Sequence, residues 1–354
     1  MRIDRQTAFS GTTAADIDAA ALEAYLARHI NGFKGPLTLV RFKGGQSNPT
    51  YRLTTPIASY VLRRKPFGRL LPSAHAIERE FRVTAALTKA GFTVARPLHL
   101  CTDDKVIGAA FYVMEHAEGR VFWEPHAPGL TGADRAALFD SMNAAIARLH
   151  GLDPAALGLT DFGKPKGYVA RQIKRWSEQY RASETETIPE MDRLIAWLPG
   201  ACPADSGVAV VHGDLRLDNC IIHWEEPRVI AVLDWELSTI GDPLADFTYH
   251  LMQWFMPVAE TGAGVGSLIG HEGDPGVPPV AEYIADYCRR TGRDGIPDLA
   301  VYMAYNFFRL AAILQGILGR VRDGTAANAD AAAMARQVRP LAETAWAFAK
   351  EAGA

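Results

Sequence analysis

The sequence predicts an α+β protein in two parts: a small antiparallel sheet with one inserted helix over residues 1–118, and a larger, mainly helical part over 119–354. Three observations predict it. Short alternating apolar runs, separated by Gly, Asn and Pro, fill the first part. Helical periodicity takes over after Gly119. Two apolar runs ending in polar groups, "VVHGDLRLDNCIIH" (210–223) and "RVIAVLDWE" (228–236), interrupt the helices.

Residues 16–30 place Ile17, Leu22, Leu26 and Ile30 on one side of a short amphipathic helix. "LTLVRFK", "TYRL" and "SYVLRRK" read as strands joined by turns. Ser73 is positioned to cap a helix running to Lys89, with Ile77, Phe81 and Leu87 inward and Gly91 ending it. "AAFYVMEHAEG" supplies a further strand. Beyond it, "GADRAALFDSMNAAIARLHG" aligns Leu138, Met142, Ile146 and Leu149 before Gly151. The two interrupting runs form a strand–loop–strand–strand island, and helices resume at Pro243. The Ala-rich "TAANADAAAMAR" reads as a surface helix.

Bulk composition narrows the function classes. Lys plus Arg total 37 and Asp plus Glu 40, a formal net charge of −3, so nothing favours nucleic acid or an anionic membrane as partner. Cys101, Cys202, Cys220 and Cys288 are widely spaced, against a disulfide framework or a zinc knuckle. With no apolar segment near the start, the expected location is the cytoplasm. "LAVYMAYNFFRLAAILQGILG", from Leu299, is long enough to span a bilayer, but Asn306, Arg309 and Gln315 near its middle would be costly in lipid. A buried helix is expected there.

The chemistry concentrates in the island. His212-x-Asp214-Leu215-x-x-x-Asn219, with Asp234 twenty residues after Asp214, matches the kinase pattern H-x-D-L-x-x-x-N followed by a metal-binding Asp. Phosphoryl transfer needs a carboxylate to orient the acceptor hydroxyl and take its proton, here Asp214. Hard oxygen ligands suit Mg2+, which Asn219 and Asp234 would supply. A lone H-x-D is commonly a hydrogen-bonded corner and a lone D-x-x-x-x-N a turn. Agreement in order, spacing and strand context favours the catalytic reading, with His212 bracing the loop.

These motifs, with "VIAVLDWELSTIGDPLADFTYHL", resemble the aminoglycoside phosphotransferase and choline kinase superfamily, which has a protein-kinase-like two-lobe fold. "GGQSNPTYRL", "YVLRRKP", "AIEREFRV" and "GYVARQIKRWSEQY" are similar to the kinase-like domains associated with acyl-CoA dehydrogenases. No dehydrogenase follows, so a stand-alone member is expected. The resemblance implies ATP and Mg2+ as cofactors.

Set against the kinase pattern, Gly44 and Gly45 permit a tight turn whose following amides, at Gln46, Ser47 and Asn48, would face phosphate. Val61 and Arg63 share a strand face, with Val61 against adenine and Arg63 where kinases carry Lys. Lys65 is the second candidate for that cation, and Glu80 would pair with it. Backbone atoms around Met114, Glu115, His116 and Ala117 would meet the adenine. Asp242 would cap the helix at Pro243, Asp246 would brace the catalytic loop, and Glu236 would reach magnesium or acceptor.

Lys164, Lys166, Arg171, Lys174 and Arg175 beside Trp176 and Tyr180 make the acceptor region basic, which suits an anionic hydroxy acid or hydroxyacyl-CoA. Two alternatives stand beside this: an aminoglycoside kinase, and an ATP-binding module without catalysis, suggested by Arg63. Expected partners are a small hydroxylated acceptor and, at most, a second copy in a homodimer. Neither nucleic acid nor membrane is expected.

Overall fold

The computed structural model describes residues 11–13, 16–42, 48–67, 76–258, 266–323 and 331–354. The chain divides into two compact units, residues 1–121 with 219–238 and residues 122–218 with 239–354.

The first unit is built on a six-stranded antiparallel sheet among the described residues. Its elements are β1 (Gly11–Thr13), α1 (Ala19–His29), β2 (Thr38–Phe42), β3 (Thr50–Thr54), β4 (Ser59–Arg64), α2 (Ile77–Lys89), β5 (Pro97–Cys101) and β6 (Phe111–Glu115). The strand order is β1-β2-β3-β4-β6-β5. Thr55, whose N–H and hydroxyl both donate to Ala58 O, closes the tight β3–β4 turn. Alternation along β4 then decides which residues meet which helix. Tyr60 and Leu62 join Leu22, Leu26, Tyr51, Leu53, Phe111 and Val113 in one core. Val61 faces the other way, clustered with Ile77 of α2, Ala95, Tyr112 and Met114. Each fully buried large apolar side chain contributes about 1.5–3 kcal/mol.

α1 is capped by Asp18, which accepts from Ala20 and Ala21 N–H at 3.0 Å. α2 starts at Ile77 with Ala76 in the cap position, and Ser73 lies outside the described residues. Strands β1 and β5 carry too little alternation to be predicted. β1 is three residues long, and Pro97 opens β5 next to a register shift.

The second unit begins with α3 (Gly132–His150), α4 (Tyr168–Ser183), α5 (Pro189–Ala201) and β7 (Ala209–Val211). The chain then contributes β8 (Cys220–Ile222) and β9 (Val229–Val232) to the first unit, as an antiparallel pair. Bridges from Val94 to Val232 and from Arg120 to Ile222 tie this pair in. The chain resumes the second unit with β10 (Thr239–Gly241), α6 (Pro243–Leu251), α7 (Val280–Thr291), α8 (Leu299–Arg322) and α9 (Ala331–Glu351). The predicted island is therefore two separate ribbons. β7 pairs with β10, a strand the sequence reading omitted, and β8 with β9. The Ala-rich tract lies outside the described residues up to 330 and is helical from Ala331.

α8 is the apolar stretch from Leu299, and 78% of its most apolar window is buried within the protein. Asn306 donates to Ala245 O and Thr248 Oγ1, Arg309 to Gly213 O, and Gln315 to Ser183 O and Thr185 Oγ1. Each of these three polar side chains makes at least one hydrogen bond inside the second unit, and α8 is mostly buried there, so it is a core helix.

Candidate active site

In the first unit, Arg63 leaves the β4 face that α2 covers, and it is 9% exposed. Its Nε stands 3.3 Å from Glu80 Oε2, and Nη1 and Nη2 both donate to Asp234 Oδ1 at 3.2 Å. Glu236 stands 3.7 Å from Nη2. Burial opposes the charge on Arg63, but Glu80, Tyr112, Asp234 and Glu236 hold its pKa above the ordinary value. Glu80 is itself 1% exposed and accepts from Asn48 Nδ2 at 2.9 Å and the Tyr112 hydroxyl at 3.1 Å. Lys65 is turned instead to Glu78, at 2.5 Å, where both are partly exposed.

Asn219 ends a short turn of helix, Leu217–Asn219, that leads into β8. Its carbonyl accepts from Leu233 N–H at 2.8 Å, which brings its backbone beside the residue preceding Asp234. Asp234 adopts a left-handed conformation, φ 61° and ψ 61°, that ordinary residues rarely take. The Asp234 carboxylate and the Asn219 amide oxygen are hard donors of the kind that would suit magnesium. Among the described residues no group of three or more His, Cys, Asp or Glu could hold a metal by itself.

In the second unit the loop after β7 carries His212, Gly213 and Asp214. Gly213 sits at φ +85°, where a side chain would be strained. Asp246, in the first turn of α6, accepts from the N–H groups of His212 at 2.8 Å and Gly213 at 2.7 Å. His150 Nε2 meets the same carboxylate at 3.1 Å, with its Nδ1 2.8 Å from the Tyr287 hydroxyl. Burial pushes the Asp246 pKa up, but the His150 hydrogen bond and the neighbouring histidines outweigh it and hold it below the ordinary value. His212 Nδ1 accepts from Asp214 N–H at 3.2 Å. The bracing roles of His212 and Asp246 are thus visible as hydrogen bonds. Asp242 caps α6 by accepting from Leu244 and Ala245 N–H, as expected for it. The Asp214 carboxylate stands 3.1 Å from Arg216 Nε, whose Nη2 reaches Asp218 at 3.0 Å.

The other candidates are placed as follows. Gly44, Gly45, Gln46 and Ser47 lie outside the described residues, and Asn48 is buried with its side chain on Glu80. Val61 pairs across the sheet with Met114. Glu115 N–H donates to Arg96 O, and its side chain forms an ion pair with Arg96. His116 and Ala117 are half-buried just past β6, and burial lowers the His116 pKa. Lys164 and Lys166, just before α4, and Lys174 and Arg175 on it are exposed, while Arg171 of α4 donates to Lys164 O. The sequence reading missed His150, Tyr112 and Arg216. His150 and Tyr112 look like ordinary members of an apolar face, and Arg216 alone, inside the motif, carried a signal.

The phosphotransferase enzyme family matches residues 38–305. Acyl-CoA dehydrogenase family member 10 of Mus musculus is 44% identical over 338 residues, 94% of this chain and 31% of that protein. Family member 11 of Homo sapiens is 41% identical over 339 residues, 94% of this chain and 43% of that protein. The chain therefore spans less than half the length of either relative. A crystal structure of a Ralstonia eutropha protein, provisionally named an aminoglycoside phosphotransferase, superposes with a TM-score of 0.85 at 47% identity, covering 95% of this chain and 99% of that one. Aminoglycoside phosphotransferase APH(4)-Ia, in ternary complex with AMP-PNP and hygromycin B, shares the fold at 15% identity and a TM-score of 0.58, covering 95% of this chain and 100% of that one. With its sheet-based first unit, helical second unit and H-G-D loop, the chain has a protein-kinase-like fold and belongs to the phosphotransferase enzyme family.

Proposed function

We propose that the chain is an ATP- and Mg2+-dependent kinase that phosphorylates a hydroxyl of an anionic small metabolite, a hydroxy acid or hydroxyacyl-CoA. The observation that carries the kinase reading is the Asp214 loop. A carboxylate that is to accept a proton must be held still, and here the backbone before it is anchored by the buried Asp246. In this reading Asp214 takes the proton from the acceptor hydroxyl as its oxygen bonds to the γ-phosphorus. The bond from that phosphorus to the β–γ bridging oxygen breaks, and ADP leaves with the electron pair. Arg63, fixed by Glu80, would bind nucleotide phosphates, and Asn219 and Asp234 would hold the metal. Magnesium supplies charge neutralisation at the phosphate oxygens.

The anionic acceptor is supported by the exposed cations Lys164, Lys166, Lys174 and Arg175, and by relatives named for acyl-CoA dehydrogenation. An aminoglycoside acceptor is the second reading, favoured by the name of the Ralstonia eutropha protein. A polycationic aminoglycoside would meet repulsion from these four side chains. Measuring ADP release with hydroxy acids, hydroxyacyl-CoAs, amino alcohols and aminoglycosides separates the readings. Turnover confined to anionic acceptors is expected. Turnover confined to aminoglycosides overturns the acceptor class, and no turnover with any acceptor or with water favours an ATP-binding module.

A further inference from the structure

Arg309 has no task in the function described so far, yet it is a charged side chain only 6% exposed in the middle of α8. Among the described residues no carboxylate stands within ion-pair distance of it, and its Nε is buried without a hydrogen-bond partner. A guanidinium taken from water without a carboxylate in contact costs several kcal/mol, roughly, so a core helix carries one only where it does something. Its contacts show what that is. Nη2 donates to Gly213 O at 3.0 Å, and the guanidinium lies over the Tyr249 ring, 4.8 Å from its centroid. The Tyr249 phenol is raised above its ordinary pKa by burial first and then by the charge of Asp214. Burial opposes the charge on Arg309, but Tyr305, Tyr168, Tyr249 and Asp214 hold its pKa above the ordinary value.

We propose that Arg309 is a positioning residue for the catalytic loop: it fixes the Gly213 carbonyl, and with it the peptide that leads into Asp214. The loop is then clamped by groups of opposite charge. Asp246 of α6 takes the N–H groups of His212 and Gly213, and Arg309 of α8 takes the carbonyl of Gly213. Both are needed because Gly213, at φ +85°, turns its peptide out of any strand or helix that would otherwise satisfy it. Gly213 and Asp214 are adjacent, so a rotation of the peptide joining them moves the carboxylate that must meet the acceptor hydroxyl.

The inference rests on the assignment of the proton-accepting role to Asp214, and the test separates the two. MgATP turnover with water as acceptor and hydrogen exchange of the backbone amides are measured for the wild type, Asp214→Asn, Arg309→Met and Arg309→Lys. Arg309→Met is expected to lower kcat by about 10²-fold, the cost of a slightly misplaced catalytic group, with the KM for MgATP unchanged. Exchange should rise over residues 211–215 and stay unchanged along α8. Arg309→Lys, which keeps the charge and one donor, should recover part of both effects. If Arg309→Met fails to fold, Arg309→Lys still reports, because a shortened cation should loosen 211–215 alone. Unchanged exchange at 211–215 in either variant overturns the proposal, as does exchange that rises equally along α8. Full turnover in Asp214→Asn removes the role of Asp214 but leaves the exchange test of Arg309 standing.

Discussion

Arg63 and Asp234 lie 171 residues apart in sequence, yet both terminal nitrogens of Arg63 donate to one Asp234 oxygen at 3.2 Å. With Glu80 behind it, Arg63 is a buried cation bridging two carboxylates. The proposed reaction gives both ends of this bridge a second task, Arg63 at nucleotide phosphates and Asp234 at magnesium.

Removing Arg63 should therefore act on stability and on binding. Arg63→Met leaves Glu80 buried without its cation, which typically costs about 3–5 kcal/mol. Adding Glu80→Gln should return part of that loss, read as a higher denaturation midpoint in the double variant than in Arg63→Met. Lys65→Ala breaks only a partly exposed pair with Glu78 and should cost under about 1 kcal/mol. Calorimetry should find MgATP affinity lost in Arg63→Met and kept in Lys65→Ala. The reverse pattern would assign the phosphates to Lys65.

His250 predicts an acid-side loss of stability. It is fully buried, and burial lowers its pKa to about 4, with the Leu215 carbonyl partly opposing. Its Nδ1 is 2.9 Å from Leu215 O and its Nε2 2.8 Å from the Tyr283 hydroxyl, an arrangement that suits the neutral ring. The unfolded chain takes up the proton near pH 6.5 and the folded chain only near pH 4. Stability from this site is complete above pH 6.5 and is lost as the pH falls through that window, by up to roughly 3 kcal/mol. The melting temperature should drop between pH 7 and pH 5 in the wild type and less steeply in His250→Gln. Equal slopes would show that other groups carry the acid limb.

The motifs that could be read from the sequence are those whose groups are close in the chain or share a period. His212, Asp214 and Asn219 fall within eight positions, and Val61 and Arg63 show their common face by alternation. The pairing of Glu80 with Arg63 was legible only because the kinase pattern names it. Hidden were the long-range partners: His150 on Asp246 and Tyr112 on Glu80 are titratable groups set among apolar neighbours, where sequence offers no mark of what they touch. The split of the island was hidden too. β7 pairs with β10 and β8 with β9, and apolar runs alone do not say which strand pairs with which.

The basic face of α4 predicts a substrate-specific effect. Lys174 and Glu178 are 79% and 68% exposed and 3.9 Å apart, a pair that contributes little to stability. Neutralising Arg171, Lys174 and Arg175 together should raise the KM of an anionic acceptor and leave that of ATP unchanged. The effect should shrink at high salt, because exposed charges are screened within about 10 Å at 0.1 M. Equal losses for acceptor and ATP would point to damaged folding.

In the proposed reaction Asp214 and Asp234 divide the work of phosphoryl transfer in a way that binding and turnover can separate. The Asp214 carboxylate faces Arg216, and its loop is anchored through Asp246, with no part in holding nucleotide in the proposed reaction. Asp214→Asn keeps the shape and removes the base, so MgATP affinity should stay near wild type while kcat falls by about 10²–10⁴-fold. Asp234 has an unusual backbone, φ 61° and ψ 61°, that Asn also tolerates, so Asp234→Asn tests the charge without straining the turn. Losing that charge should weaken metal-dependent nucleotide binding and turnover together. It also frees Arg63 from one of its carboxylates, so affinity for ATP without magnesium should change far less than affinity for MgATP. Calorimetry of each folded variant, with and without magnesium, reads all of these. If Asp214→Asn abolishes binding while Asp234→Asn preserves it, the two roles are exchanged, and if both keep full turnover the chain is not a kinase of this mechanism.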